Sequence, residues 1–255
     1  MRLREFHAES VKSILVIRLY FLGDVLFSTP VTAALRTRFE DAHIAVLIKR
    51  RARDILKGNP HIDEVIEYDE VERYHSPVWL WRLALRLRRR RYDLVVDLTG
   101  DHRSSLLLAA ADPGFRVGLN HSGMGFLLDR RIPYGSEGHI VDHLLSSVES
   151  VGAVAEDPVP VLILTEAEIV ESRELLKGAG IAPDAPFVVL SPGANGRYRR
   201  WPAQRFGALA KTTWDRLGIS SVVTGSAADL DVARTVVAGS SGTAVNLAGK
   251  TSIRT

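Results

Sequence analysis

The chain has 255 residues, 46% of them hydrophobic and 25% charged, and it contains no cysteine. This composition is typical of a globular protein with one or two domains, and it excludes disulfides and every cysteine-based metal site or nucleophile. The formal net charge of +3 is too small to indicate a nucleic-acid partner.

The first residues lack the apolar core of a secretory signal, and no apolar run approaches the ~18 residues that a membrane span needs. We therefore expect a cytoplasmic protein without a transmembrane segment.

Short apolar runs alternate with amphipathic segments through the first part of the chain, and they predict strands and helices respectively. The predicted strands cover residues 14–17, 44–48, 94–98 and 115–119. The predicted helices cover residues 29–39, 77–90, 103–110 and 139–151. This alternation is typical of a parallel sheet with helices on both faces.

A proline-containing connection at residues 156–160 precedes a second α/β unit. After a helix at 166–177, we predict strands at 187–190, 221–224 and 244–247, alternating with helices at 202–217 and 227–238. The simplest organisation is two domains, residues 1–157 and 158–255.

Gly23 and Asp24 follow the first predicted strand. They lie beyond the carboxyl end of a parallel strand, where open α/β sheets bind ligands. Asp24 is therefore either a general base or a first-turn carboxylate that complements the helix dipole. The loop has one glycine where a dinucleotide fingerprint needs three, which disfavours a nicotinamide-dependent oxidoreductase.

The loop after strand 187–190 carries Pro192, Gly193 and Gly196, then Arg197, Arg199 and Arg200 before a predicted helix. Glycine, arginine and a helix N-terminus together suit a phosphate group. Solvated arginines in an ordinary βα connection fit the same pattern.

Two other features have a functional and a simpler interpretation. Six of the ten residues 82–91 are arginine, which fits either the solvated face of an amphipathic helix or attraction to a phosphorylated lipid. His139 and His143 have a spacing that can share a metal, but no third ligand is evident, so we predict no metal site.

Four blocks, in order, resemble glycosyltransferase family 9, the ADP-heptose:lipopolysaccharide heptosyltransferases. The blocks are Gly23-Asp24-Val25-Leu26 with Thr29-Pro30, Asp97-Leu98-Thr99-Gly100, Ser191-Pro192-Gly193-Ala194 with Arg199-Arg200-Trp201-Pro202, and Asn246-Leu247-Ala248-Gly249-Lys250-Thr251.

The resemblance implies an α/β fold of the GT-B type, in which two Rossmann-like domains face each other across a cleft. It implies inverting transfer of heptose from ADP-heptose to the phosphorylated lipid A–core acceptor of the lipopolysaccharide inner core. Neither a metal nor another cofactor is implied. The acceptor lies at the inner-membrane surface, so a peripheral location there is implied too.

By the same resemblance, Asp24 falls at the catalytic base. The acceptor side would include Arg18, Gly23, Thr99 and Gly100. The nucleotide-sugar side would include Ser191, Gly193, Ala194, Arg199, Trp201 and Asp229. Arg199 stands where the family usually has a lysine, and Asp229 equally fits a first-turn helix carboxylate.

The sequence stops at Thr255, before an Asp-Ser/Thr-Gly-Pro-Met-His loop that completes the diphosphate site in this family. We therefore expect a partial second domain, weak ADP binding and little transfer by this chain alone. A non-catalytic nucleotide-sugar-binding fragment and a family relative that uses another sugar donor are the alternatives.

Overall fold

The computed structural model describes residues 4–69, 77–121, 123–133, 138–182, 184–194 and 196–255. The chain divides into two compact units, Met1–Ile163 and Leu164–Thr255. The division falls after Ile163, and not after residue 157, because the connection packs on the first unit. Val161 N–H donates to Thr29 Oγ1 at 2.9 Å, and Leu162 lies against the first unit's core.

The first unit contains a six-stranded parallel sheet with the strand order β3-β2-β1-β4-β5-β6. Its strands are β1 (Ser13–Arg18), β2 (His43–Lys49), β3 (Glu64–Tyr68), β4 (Leu94–Asp97), β5 (Phe115–Leu119) and β6 (Arg130–Ile132). Its α-helices are α1 (Leu22–Leu26), α2 (Thr29–Arg38), α3 (Arg53–Leu56), α4 (Pro77–Arg90), α5 (His102–Ala111) and α6 (Ile140–Glu149). Short 3-10 helices cover Ala8–Ser10, Arg50–Ala52 and Gly125–Leu127.

Helices cover both faces of this sheet, as the alternation predicted. Alternate residues of a strand point to opposite faces, and in β1 the four residues from Ile14 to Ile17, two on each face, are fully buried. Leu35 of α2 and Leu144 of α6 belong to the core on one face. Leu87 of α4 and Leu108 of α5 belong to the core on the other.

Every strand predicted in the first unit is confirmed to within one residue at each end, but two edge strands, β3 and β6, were not predicted. β3 has the sequence Glu-Val-Ile-Glu-Tyr, and its glutamates interrupt the apolar run. They are tolerated at the sheet edge because arginines pair with them: Arg86 lies 2.6 Å from Glu64, and Arg50 lies 3.1 Å from Glu67.

The second unit contains a three-stranded parallel sheet in the order β7-β8-β9. Its strands are β7 (Phe187–Leu190), β8 (Ser220–Val223) and β9 (Ala244–Asn246). Its helices are α7 (Glu166–Gly178), α8 (Ala203–Leu217) and α9 (Leu230–Gly239), with 3-10 turns at Arg197–Arg199 and Ala227–Asp229. Pro202 is the residue that precedes α8 and not its first residue. The helix predicted at 227–238 begins as a 3-10 turn.

Candidate functional site

The carboxyl ends of β1 and β4 form the point where the first sheet reverses its strand order, since the chain builds β2 and β3 on one side of β1 and β4 to β6 on the other. Ligands of open α/β sheets bind at such a point. The chain leaving β1 carries Asp24, and the chain leaving β4 carries Thr99 and Gly100. The structure therefore brings the predicted catalytic and acceptor-side residues together.

The Asp24 carboxylate is held from two directions and remains accessible. Arg18 Nη2 lies 3.6 Å from its Oδ1 atom, and the side chain is 36% exposed. The backbone N–H of Phe21 donates to Oδ2 at 3.1 Å, so the capping role considered for this residue is present. A Cβ at Gly23 would meet no atom within 4 Å other than those of its chain neighbours, so the loop is open at this residue.

Arg18 is buried and acts on the loop. Its side chain is only 3% exposed. Its Nε donates to the Asp24 carbonyl oxygen at 3.2 Å, and its Nη1 donates to the Leu98 carbonyl oxygen. The guanidinium lies over the Tyr20 ring, 4.8 Å from its centre. This geometry orients Asp24 between the ends of β1 and β4.

Thr99 and Gly100 shape the floor of the site. Thr99 is fully buried; its hydroxyl accepts from Leu19 N–H at 2.8 Å and donates to the Ile17 carbonyl at 3.3 Å. Gly100 has φ +67°, and a Cβ there would lie 2.6 Å from the Leu119 carbonyl oxygen, so only glycine fits. Both residues position the loop from beneath.

Asp97 is a buried residue of this site for which the sequence motif indicated no role. It is 1% exposed. Its Oδ1 accepts from the N–H groups of Thr99 at 2.9 Å and Gly100 at 3.0 Å, and its Oδ2 accepts from Ser104 Oγ at 2.7 Å. Burial raises the pKa of Asp97 to about 6 against these bonds. An aspartate inside the apolar run of residues 94–98 was the available signal.

Two cations that no sequence pattern indicated, Lys49 and Arg51, lie over the ring of Phe21, the residue whose N–H binds Asp24. Phe21 is 49% exposed; Lys49 Nζ lies 5.3 Å and Arg51 Cζ 4.7 Å from its ring centre. His121 lies beside Gly100, and burial, followed by the charge of Arg18, lowers its pKa. This surface suits an anionic ligand.

In the second unit, the loops after β7, β8 and β9 meet at the carboxyl edge of the sheet. Gly249 N–H donates to the Gly225 carbonyl at 2.8 Å, which joins the loops after β9 and β8. Gly193, after β7, lies so close to Asp229 that a Cβ would be 2.6 Å from its Oδ1 atom. Of the predicted donor residues, Gly193 and Asp229 are thus brought into contact.

Asp229 has a local role that the sequence had left open. Its Oδ2 accepts from the Ser226 hydroxyl at 2.6 Å and the Ser226 N–H at 3.0 Å. These hydrogen bonds lower the pKa of Asp229, and the bond from the Ser226 hydroxyl has the larger effect. The first-turn interpretation is present in the structure, and the adenosine contact stays a prediction.

The loop between β7 and α8 offers donors to a ligand. Within the described part of the chain, no group accepts from the N–H groups of Gly193 and Ala194. Arg200 Nε donates to the Ala194 carbonyl at 3.0 Å. Ser191 and Arg199 are exposed. The side chain of Arg197 lies outside the described residues.

Trp201 packs edge-on against Phe206, with ring centres 5.0 Å apart. Trp201 directly precedes the N-cap residue Pro202, and Phe206 is the fourth residue of α8. The pair is therefore a hydrophobic staple, which fixes the direction in which the chain enters the helix. This contact gives Trp201 a local structural role, and its nucleotide contact stays a prediction.

His139 is the N-cap of α6, and its Nδ1 accepts from Val141 N–H at 3.3 Å. Its ring also packs against Phe27, with ring centres 5.6 Å apart. Among the described residues, no three metal-ligating side chains gather into a potential metal site. No helix in the described ranges has the length and apolar character to cross a membrane.

Comparison with known proteins identifies the family. Residues 80–255 match glycosyltransferase family 9 (heptosyltransferase), and the chain belongs to this family. Lipopolysaccharide heptosyltransferase 3 of Escherichia coli is 25% identical over 196 residues, which are 74% of this chain and 57% of that protein. Lipopolysaccharide heptosyltransferase 2 of Salmonella typhimurium is 26% identical over 238 residues, 88% of this chain and 66% of that protein. The chain thus spans less than two thirds of the length of either curated relative.

Solved structures agree with the fold. A family 9 glycosyltransferase from Veillonella parvula superposes with a TM-score of 0.83 at 24% identity, covering 100% of this chain and 72% of that one. The E. coli ADP-heptose lipopolysaccharide heptosyltransferase II gives a TM-score of 0.75 at 25% identity over 95% of this chain and 74% of that one. The predicted α/β class of the GT-B type is confirmed.

Proposed function

We propose that the protein transfers heptose from ADP-heptose to the phosphorylated lipid A–core acceptor of lipopolysaccharide, with inversion at the anomeric carbon. Family membership supports the reaction class. The observation that carries the chemistry is Asp24, an accessible carboxylate that Arg18 and the Phe21 N–H hold at the strand reversal of the first sheet.

In this proposal Asp24 is the general base. It takes the proton from an acceptor hydroxyl as that oxygen attacks the anomeric carbon, and the bond from this carbon to the ADP oxygen breaks. Attack from the face opposite the leaving group inverts the centre. Lys49 and Arg51 provide the cationic surroundings that an acceptor phosphate requires.

The second unit would hold the donor. The N–H groups of Gly193 and Ala194, for which the described residues provide no acceptor, would stabilise the charge that grows on the departing diphosphate, and Arg199 would add a cation. We propose that this arrangement needs no metal or other cofactor, so EDTA should leave the rate unchanged. An acceptor of this kind implies a cytoplasmic protein bound peripherally at the inner face of the membrane.

The test separates chemistry from donor binding in the protein isolated from its own cells, with variants introduced in the gene. Asp24→Asn keeps an oxygen that can accept from Phe21 N–H but removes the base, so we expect transfer to fall by about 10²- to 10⁴-fold with ADP affinity nearly unchanged. Gly193→Ala places a Cβ 2.6 Å from Asp229 Oδ1, so ADP affinity itself should fall. Transfer is followed with labelled ADP-heptose and heptose-deficient lipopolysaccharide, and ADP binding by calorimetry.

Two matched controls accompany these variants. Asp41→Asn changes an exposed aspartate before β2, and Gly178→Ala changes a glycine with open space around it; both should behave as the wild type. Full heptose transfer by the Asp24→Asn variant would refute the assignment of Asp24 as the general base. ADP binding without turnover in the wild type would favour a binding protein, and turnover only with another nucleotide sugar would favour a different donor.

A further inference from the structure

The outer face of α4 exposes apolar and basic side chains together. We define this face by Val78, Trp81, Arg82, Leu85 and Arg89, which recur every three or four residues and therefore lie on one side of the helix. Val78 is 52% and Trp81 62% exposed. A helix packed into a sheet ordinarily buries such residues, so this face needs a separate explanation.

Some arginines of α4 are neutralised within the unit. Arg86 and Arg90 lie 2.6 Å and 3.1 Å from Glu64 of β3, and Arg88 lies 3.8 Å from Asp112. Arg86 and Arg90 are exposed, as the solvated-face interpretation predicts, and each also pairs with the edge strand β3.

Arg82 and Arg89 differ from these. Both are exposed, and neither forms an ion pair with any residue in the described ranges. The helix itself contains no Asp or Glu. The outer face therefore carries positive charge that the described part of the chain does not compensate, and this attracts an anionic partner.

The surroundings of this face are hollowed. Two hollows, of about 590 and 530 Å³, both have Leu85 and Arg89 in their lining. The larger also contains Arg88 and Arg91, and the smaller contains Trp81. Each has the volume of a small-ligand site. The smaller places arginine beside apolar surface, whereas the lining of the larger also includes Asp93 and Asp112.

The larger hollow is not part of the site around Asp24. Asp93 and Gly114 line it, and they directly precede β4 and β5, at the amino edge of the sheet. Asp24 lies at the carboxyl edge. The arginines that line it therefore lie away from the site around Asp24.

We propose that the outer face of α4 docks on an anionic membrane surface, with Trp81 entering the interface and Arg82 and Arg89 contacting lipid phosphates. Exposed tryptophan and valine favour a membrane over nucleic acid or an acidic protein, because interfacial helices bury apolar side chains among the headgroups while their basic side chains bind anionic lipid. The inference deepens the peripheral location proposed above and names the surface responsible.

The experiment measures cosedimentation of the whole chain with vesicles of phosphatidylcholine alone or with about 30% phosphatidylglycerol. We expect at least tenfold stronger binding to the anionic vesicles at about 0.1 M salt, weakening as salt rises. Arg82→Glu combined with Arg89→Glu should lower binding at least tenfold. Trp81→Phe should remove the blue shift of tryptophan fluorescence that accompanies binding.

A matched control lies on α8, which also exposes a tryptophan, Trp214, at 45%. Trp214→Phe with Arg216→Glu should bind vesicles as the wild type does. All substituted side chains are exposed, and circular dichroism checks that each variant is folded. Asp24→Asn should also bind normally, so a failure of the transfer proposal leaves this test readable.

Three results would overturn the proposal. Equal binding to neutral and anionic vesicles would remove the electrostatic contact. Wild-type binding by the double arginine variant would show that another surface docks. Binding of a short fluorescent DNA duplex, or self-association that is lost in Trp81→Ala, without vesicle binding would assign the face to nucleic acid or to a second copy of the chain.

Discussion

Asp97 combines a loop-forming role with a cost that depends on pH. Its carboxylate organises the turn at Thr99 and Gly100, but burial raises its pKa from 3.8 to about 6. The folded protein therefore binds this proton more tightly than the unfolded chain. The resulting stabilisation is complete below about pH 3.8 and is lost as the pH rises through about 6.

We predict that Asp97→Asn removes this pH dependence. The amide oxygen can still accept from the two loop N–H groups, so the fold should persist. Between about pH 4 and about pH 7.5, the free energy of unfolding of the wild type should fall relative to the variant by about 3 kcal/mol at most. Urea unfolding at several pH values measures the difference, and the exposed Asp41→Asn should follow the wild type. Parallel curves for Asp97→Asn and wild type would contradict the assignment.

The neighbourhood of Asp97 also shows what the residues alone could predict at the site. Gly118 and Arg116 interrupt the apolar run of β5, yet the strand forms. Glycine is required at residue 118 because it lies against β4, where a Cβ would be 2.6 Å from the Asp97 carbonyl oxygen. Asp24 could be predicted as a candidate because its loop follows a recognisable strand. Lys49 and Arg51 were missed because they reach Phe21 from the end of β2, a proximity that only the sheet order creates.

At the scale of elements, α7 depends on its cap more than the other helices of its unit, because none of its residues is buried. Thr165 Oγ1 accepts from Glu168 N–H at 3.3 Å, and the Glu168 carboxylate accepts from Thr165 N–H at 2.9 Å. This is a capping box. Glu168 also binds Arg254 at 2.6 Å, which ties the start of the helix to the end of the chain.

We predict that Thr165→Ala destabilises the second unit by about 1 kcal/mol, since one helix-start N–H loses its acceptor. Thr212→Ala is the matched control, because Thr212 is exposed within α8 and its hydroxyl only bonds to the Ala208 carbonyl. Alanine there should be neutral or slightly stabilising. Thermal unfolding followed by circular dichroism compares the two, and an equal loss in both would show that the cap contributes nothing.

Elements were predictable where burial acts on both sides of a strand. The run at residues 14–17 is apolar throughout because β1 lies at the centre of its sheet, with a core on each face. Edge strands do not need apolar residues on both faces. Arg130 and Arg131 occupy β6 with exposed side chains, so neither apolar runs nor alternation could indicate that strand.

At the scale of the whole molecule, the two units differ in how completely their sheets are covered. The first has a buried core on each face of six strands. The second has three strands and smaller clusters, and Val189 in the middle of β7 is 55% exposed. Because burial of apolar surface is the main favourable contribution to folding, the first unit should be the more stable.

We predict that residues 1–163 expressed alone fold cooperatively, whereas residues 164–255 alone unfold at a lower urea concentration. A domain of the larger size buries a greater fraction of its chain surface, about 70% against about 60% for a small one, and the first fragment keeps both of its cores and the connection that Val161 attaches to Thr29.

Circular dichroism in urea, with a fragment of residues 1–157 as the matched comparison, tests the boundary as well. The shorter fragment loses that hydrogen bond and the contact of Leu162 with the core, so it should unfold earlier than residues 1–163. Identical midpoints would mean that the connection does not stabilise the first unit, and a broad, non-cooperative transition for residues 1–163 would mean that its sheet does not form a domain by itself.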